Sequence, residues 1–291
     1  MVIDCHYHWD ERILARDAMF KKMEDSGIDK VALMGIICDP FPEPTPFLVG
    51  ALQLLLANKM TRAIGRALSA QFTPQGDIKI LGKGYHIYPD PDNAPVFQAV
   101  KDQPERFVGW VFVNPRGKND PVQELEQWQG APGFIGVKAH SFWHRYAPVE
   151  LSPVAAKVAA LKKPLILHAG FGAHGDFLAL LDKVPDLKLI LAHAAFPEYG
   201  DTWKVIQNMK NVCVDLSQTS YVGESATRDV VAYLGVERCL YGTDGPFGFP
   251  GSDGLFNYAF LKNRLERIFP DKGVQKRLLS QNFMDLTGIK A

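Results

Sequence analysis

The chain has 291 residues, 47% of them hydrophobic, with 32 Lys plus Arg balancing 32 Asp plus Glu. Zero formal charge gives no global field for nucleic acid or an anionic membrane, and no apolar run approaches the roughly 18–20 residues of a membrane span. A (β/α)8 barrel of about 250 residues fits this length. The N-terminus shows no basic-then-apolar leader. The four cysteines, Cys5, Cys38, Cys213 and Cys239, are too scattered for a disulfide framework or a Cys-x-x-Cys zinc site. Buried thiols and a cytoplasmic location are the expectation.

Met1 to Ile3 opens an apolar run that turns polar at Asp4 and presents His6 and His8. Side chains two apart on a strand share a side, so the pair could hold a metal ion, or be a chance surface pair. Glu11 to Ser26 reads as a helix stopped by Gly27, and Lys30 to Ile37 as a second strand. The rhythm then breaks over 39–79, a proline-rich turn followed by a helix-like stretch from Phe47 to Leu68. Following a strand, this insertion belongs on the C-terminal face of a barrel, as a lid or a dimer contact. Ile78 to Tyr88 is either a further short strand or the start of the third barrel strand.

From Arg106 the alternation resumes. Strands are predicted over Phe107–Val113, Phe134–His140, Leu165–His168, Leu187–His193, Val212–Leu216 and Arg238–Asp244. Helices begin at Asn119 or Asp120 before Pro121, at Ser152 as the cap before Pro153, and over Phe177–Lys183, Thr202–Met209 and Ser225–Leu234. The tail from Asn257 is mostly helical. Eight buried strands alternating with helices predict a single-domain α/β (β/α)8 TIM barrel over 1–291, with 39–79 as its insertion.

The polar residues fall at strand ends. Strand one ends in His6 and His8, strand four in Lys138 and His140, strand five in His168, strand six in His193 and strand eight in Asp244. In a barrel these ends meet at one mouth. Taken singly, each has an ordinary reading: a half-buried histidine, an ion-paired lysine, a turn aspartate before Gly245 and Pro246. Five such coincidences on one rim are hard to assemble by chance.

Those residues, with the stretches Gly-Val-Lys-Ala-His, Leu-Ile-Leu-His-Ala-Gly, Leu-Ala-His-Ala and Leu-Tyr-Gly-Thr-Asp-Gly-Pro, resemble the amidohydrolase superfamily. The similarity is to its amidohydrolase-2 branch of TIM-barrel hydrolases and metal-dependent decarboxylases. The resemblance implies that His6, His8, His168 and Asp244 hold one divalent ion, zinc first, with manganese or iron also compatible. It implies Asp244 and His193 as acid-base groups. A second ion would enter if Lys138 were carboxylated, with His193 then a ligand. Lys138, His140, Trp143, Arg145 and Phe171 are the expected substrate contacts. Arg62 or Arg66 could also grip a carboxylate, and Phe142, Tyr146, Phe196, Tyr199, Tyr221, Phe247 and Phe249 could wall a pocket.

The first functional expectation is a zinc-dependent hydrolase of an amide, lactam or lactone. The alternative is a non-oxidative decarboxylase of a small unsaturated or aromatic acid. A non-catalytic metal-binding scaffold is the third. The expected partner is a small-molecule substrate, with no nucleic acid, no membrane and a homodimer through the insertion as an option.

Overall fold

The computed structural model describes residues 1–42, 45–58, 60–69, 71–80, 82–247 and 256–290. Its strands are β1 (Ile3–His8), β2 (Lys30–Met34), β3 (Ile78–Ile80), β4 (Lys83–Tyr85), β5 (Phe107–Val113), β6 (Phe134–His140), β7 (Pro164–His168), β8 (Lys188–Leu191), β9 (Val212–Asp215) and β10 (Cys239–Leu240). Eight of them form one parallel sheet in the order β1-β2-β5-β6-β7-β8-β9-β10. The seam between its ends is closed by backbone bonds from Cys5 N to Tyr241 O at 3.1 Å, Asp244 N to His6 O at 2.7 Å and His8 N to Gly245 O at 2.6 Å. The result is the expected TIM barrel. Buried Asp4 reinforces the seam by accepting from His6 N, Thr243 N, Thr243 Oγ1 and Tyr258 Oη.

Side-chain alternation explains where the core ends and the site begins. Ile3, Cys5, Met34, Trp110, Ile135, Ile166, Ile190, Cys213 and Leu240 point into the barrel and are sealed from below by Phe283. Residues of opposite parity, such as Leu33, Val111, Val137, Leu165, Leu167 and Leu189, pack against the outer helices. A register shift between Asp4 and Tyr7 switches the parity of β1. Such bulges re-aim side chains. Tyr7 therefore joins the outer core, while His6 and His8 turn to the axis above Cys5. All four cysteines are free and buried.

The helices are α1 (Arg16–Ser26), α2 (Pro46–Ala57), α3 (Arg62–Ser69), α4 (Ala94–Asp102), α5 (Pro121–Trp128), the one-turn α6 (Ser141–His144), α7 (Ser152–Ala160), α8 (Phe177–Lys183), the one-turn α9 (Ala192–Ala195), α10 (Gly200–Ile206), α11 (Glu224–Leu234), α12 (Tyr258–Ile268), α13 (Lys272–Lys276) and α14 (Asn282–Thr287). Asp120 caps α5, accepting from Val122 N and Gln123 N, with Pro121 at the first position.

Several expectations need correction. The first helix begins at Arg16 rather than Glu11, because Asp10 folds 10–14 into a turn, chelating Arg12 and accepting backbone bonds from Ile13 and Leu14. Ser152 is not the cap of α7; Leu151 is, and Ser152 Oγ donates to Val149 O. The single helix expected over 47–68 is two. Asn58 leaves the helical region at ψ 123°, and its Oδ1 takes the Met60 N–H. Strands β3 and β4 pair antiparallel outside the barrel rather than joining it. The helix α4 was not expected at all; it closes the βα unit between β2 and β5. Strands β8 and β10 are shorter than expected, because the backbone turns out of the sheet just above them.

Candidate metal centre and pocket

Strand β1 delivers two imidazoles whose outer nitrogens are already engaged. His8 Nδ1 lies 2.8 Å from Gly35 O. A carbonyl can only accept, so Nδ1 carries the proton and Nε2 keeps its lone pair. Burial pushes the His8 pKa down to about 3, so the ring is neutral. His6 Nδ1 lies 2.9 Å from Asp215 Oδ2, which orients that ring the same way. Partners of this kind fix ligand tautomers at metal sites.

Both Nε2 atoms converge on Asp244. Its Oδ1 is 2.9 Å from His6 Nε2 and 3.6 Å from His8 Nε2. These three donor atoms lie within 4.8 Å of one another. The pairing of His8 Nε2 with Asp244 Oδ1 is the test of fit. A lone pair faces a carboxylate oxygen, and a cation between them satisfies both. A neutral imidazole and an ionised carboxylate are also the forms that bind metal. The donor set therefore fits a divalent ion held by His6, His8 and Asp244.

The electrostatics agree. Burial alone would raise the carboxyls of Asp215 and Asp244, but the facing histidines outweigh it and hold both well below the usual carboxylate range. Burial and Lys138 press His6 down, yet Asp244 and Asp215 prevail and the net direction is up. Lys138 is fully buried with Nζ 3.1 Å from His6 Nε2. Burial lowers its pKa to about 8, against the pull of Asp244 and Asp215.

His168 lies beside the trio, outside its 4.8 Å span. Its Nδ1 is 3.0 Å from His193 Nε2, and its buried Nε2 has no hydrogen-bond partner. Ser217 Oγ gives its proton to Asp215, so His193 Nδ1 donates to Ser217, His193 Nε2 accepts from His168 Nδ1, and His168 Nε2 keeps the lone pair. His193 sits underneath, fully buried and outside the pocket lining. Its Nδ1 is 2.8 Å from Ser217 Oγ, and its backbone N donates to Asp215. Sequence reasoning placed His193 and Asp244 as an acid-base pair; the structure puts Asp244 in the pocket and His193 behind His168.

The pocket opens directly above these donors. His8, His168 and Asp244 form its floor, with His140 and Gln218 beside them. Ile37, Phe41, Trp143, Tyr221 and Phe247 form its walls. Phe41 stacks on Phe247 at 5.2 Å and 10° across the mouth. The free volume is about 40 Å³, which is room for a few waters. A larger cavity of about 210 Å³ beyond Phe196 contains none of the metal donors.

Two expected substrate contacts line the pocket, His140 and Trp143. Three do not. Lys138 lies beneath it, fully buried against His6. Arg145 ends α6 at φ 55° and is exposed, with its guanidinium 5.3 Å over the Phe72 ring. Phe171 wedges edge-on against Phe142 at 5.2 Å, away from the lining. Arg62 is committed to Asp201 at 2.7 Å and Glu198 at 3.6 Å. Phe142, Tyr146, Phe196 and Tyr199 also lie outside the lining. Phe249 lies outside the described residues, and the Arg66 side chain is not described.

Sequence reasoning missed Asp215, Ser217, Gln218, Ile37 and Phe41. Asp215 obeys the rule that found the histidines, being the polar end of the apolar run Val-Cys-Val. Gln218 Nε2 donates to Asp244 Oδ2 at 3.0 Å. A different signal lies in the backbone. His193, Ala194, Ala195, Gln218 and Asp244 all have φ between 53° and 62°. Left-handed non-glycine residues are costly and gather at functional sites. Here they follow β8, β9 and β10 on the rim that carries the donors.

The sequence profile of the amidohydrolases matches residues 67–283. No curated protein matches the chain significantly. Among solved structures, the 5-carboxyvanillate decarboxylase of Sphingomonas paucimobilis superposes with a TM-score of 0.61 at 15% identity, covering 99% of both chains. A probable 2-pyrone-4,6-dicarboxylic acid hydrolase from Acinetobacter baumannii, with citric acid bound, gives 0.61 at 16%, again covering 99% of both. The 5-carboxyvanillate decarboxylase of Novosphingobium aromaticivorans, complexed with manganese and a nitrobenzoic acid, gives 0.56 at 15%, covering 93% of this chain and 79% of the other. At these identities the likeness is one of fold. The profile match spans most of the chain, which therefore belongs to the amidohydrolase family, in its amidohydrolase-2 branch.

Proposed function

We propose that this protein is a metal-dependent, non-oxidative decarboxylase of a small aromatic or unsaturated acid. The observation that carries the proposal is the pocket itself: a narrow slot between aromatic rings, standing on the His8–Asp244 donor pair. Such walls suit a flat, conjugated substrate. Two of the superposed structures, named as decarboxylases of an aromatic acid, support the choice over hydrolysis. Hydrolysis, the reading favoured from sequence, shares the same donors and has its own relative of equal TM-score, named as a probable hydrolase.

In the reaction, the bond between the carboxylate carbon and its conjugated neighbour breaks. The electron pair stays on that neighbour, CO2 leaves, and a proton takes its place, so the free acid balances as RCOOH giving RH and CO2. His6, His8 and Asp244 would hold the ion, and His168 stands next to them with a free nitrogen. When bound, the ion supplies a Lewis acid that orients and polarises the substrate. Asp244 lines the pocket beside the ion site, and we assign it to guide a solvent-derived proton to the carbon, so that the ionised acid balances as RCOO− plus H+ giving RH and CO2. Trp143, Phe41 and Phe247 keep water from the breaking bond. The test is a panel of aromatic and unsaturated acids, lactones and amides offered to the manganese- or zinc-loaded protein. CO2 release that stops on chelation supports the proposal. Lactone or amide cleavage without CO2 release would replace it with the hydrolase.

A further inference from the structure

The pocket carries two neutral donors whose orientations the protein fixes. His140 Nδ1 receives the backbone N–H of Trp143 at 3.1 Å. A backbone amide only donates, so Nδ1 holds a lone pair and the proton sits on Nε2. The ring cannot turn: it stacks on His168 at 4.0 Å and on Trp143 at 4.9 Å. Gln218 is locked by the same logic. Its Oε1 accepts from Ser220 N at 3.1 Å, so the amino group must face Asp244 Oδ2 at 3.0 Å. An amide flip would set two acceptors against each other, and the second N–H of Nε2 is left for the pocket.

Positive charge is missing from the same walls. Among the described residues that line the pocket there is no Arg and no Lys. Lys138 is beneath, spent on His6, and Arg145 and Arg62 point elsewhere. Among the described residues a second substrate carboxylate would meet only neutral donors and aromatic faces, with too little free volume to keep its water. A buried, unpaired carboxylate is strongly disfavoured. Resting on the decarboxylase reading, we propose that His140 and Gln218 are specificity-determining residues that select conjugated monocarboxylic acids bearing one neutral acceptor oxygen, and that dicarboxylic acids are excluded.

The test measures binding rather than turnover, by titrating the manganese-loaded protein calorimetrically with benzoate, 2-hydroxybenzoate and benzene-1,3-dicarboxylate. The expected order is 2-hydroxybenzoate about ten-fold tighter than benzoate, the worth of one good hydrogen bond, and the dicarboxylate at least ten-fold weaker than benzoate. His140→Asn keeps an acceptor for Trp143 N but removes the Nε2 donor. It should erase the 2-hydroxybenzoate advantage, read as the ratio of the two affinities in the same variant, and His140→Gln, which puts an amide near Nε2, should restore part of it. The inference is overturned if the dicarboxylate binds as tightly as benzoate, if His140→Asn weakens benzoate and 2-hydroxybenzoate alike, or if none of the three binds. The expected binding order without CO2 release would sink the decarboxylase reading alone. CO2 released as readily from a dicarboxylic as from a monocarboxylic acid would sink this inference alone.

Discussion

Asp215→Asn is the substitution that separates a metal centre from a buried polar cluster. Asp215 Oδ1 accepts from His193 N at 2.9 Å, Ser217 N at 3.0 Å and Ser217 Oγ, while Oδ2 faces His6 Nδ1 at 2.9 Å. In the variant the amide oxygen must stay with the three donors, so its NH2 turns to His6 Nδ1. Two donors cannot face each other, and the His6 proton moves to Nε2. That proton occupies the lone pair needed at the centre. Loss of a partner to a ligating histidine costs about 10–100-fold in metal affinity. A forced tautomer change belongs at the upper end, about 100-fold or roughly 2.7 kcal/mol. The assay is competition for zinc or manganese against a chromophoric chelator, with circular dichroism to confirm the fold. A dissociation constant within two-fold of the parent protein, in a folded variant, would refute the assignment of His6 Nε2 as a ligand.

Other expectations follow from the same geometry. Lys138 is fully buried against His6 and keeps its amine beside Asp244 and Asp215, so elemental analysis should find one ion per chain, and Lys138→Met should leave that count at one. Burial depresses the His144 pKa to about 4, against its bond to Tyr88 O. The unfolded chain, titrating near 6.5, binds the extra proton between those values, so stability is full above about 6.5 and falls on acidification to pH 4. The loss is on the order of 3 kcal/mol, and His144→Gln should flatten that part of a urea-denaturation series run from pH 7 to 4. Gln53 of α2 ties the insertion to the site by donating to Thr219 O and Ser220 O at 3.0 and 3.1 Å. Gln53→Ala should speed hydrogen exchange at 219–222 several-fold while leaving the β5–β7 amides unchanged.

The barrel was legible because its strands are short apolar runs separated by amphipathic helices, and a parallel strand buried on both faces leaves little else to write. His6, His8, His168 and Asp244 were legible because each interrupts such a run at its upper end. Asp215 interrupts one too, but Leu216 follows it and the apolar reading ran on past it. Orientation was not legible. Nothing local to Arg145 says that a left-handed turn aims it at Phe72, and nothing local to Phe41 says that it crosses the mouth to stack on Phe247. These are contacts between distant segments, set by packing. The missed α4 has Asn93 and Pro95 at its start to announce it, but in a stretch with four prolines between 89 and 104.

The central claim is tested most directly by running the metal-loaded protein with a substrate from the acid panel in D2O enriched in 18O. The account predicts one CO2 per turnover, one deuterium on the carbon that carried the carboxylate, no solvent oxygen in the remaining product, and loss of the CO2 and the deuterium together in His8→Ala and Asp244→Asn. Product carrying solvent 18O, formed without CO2, would contradict it.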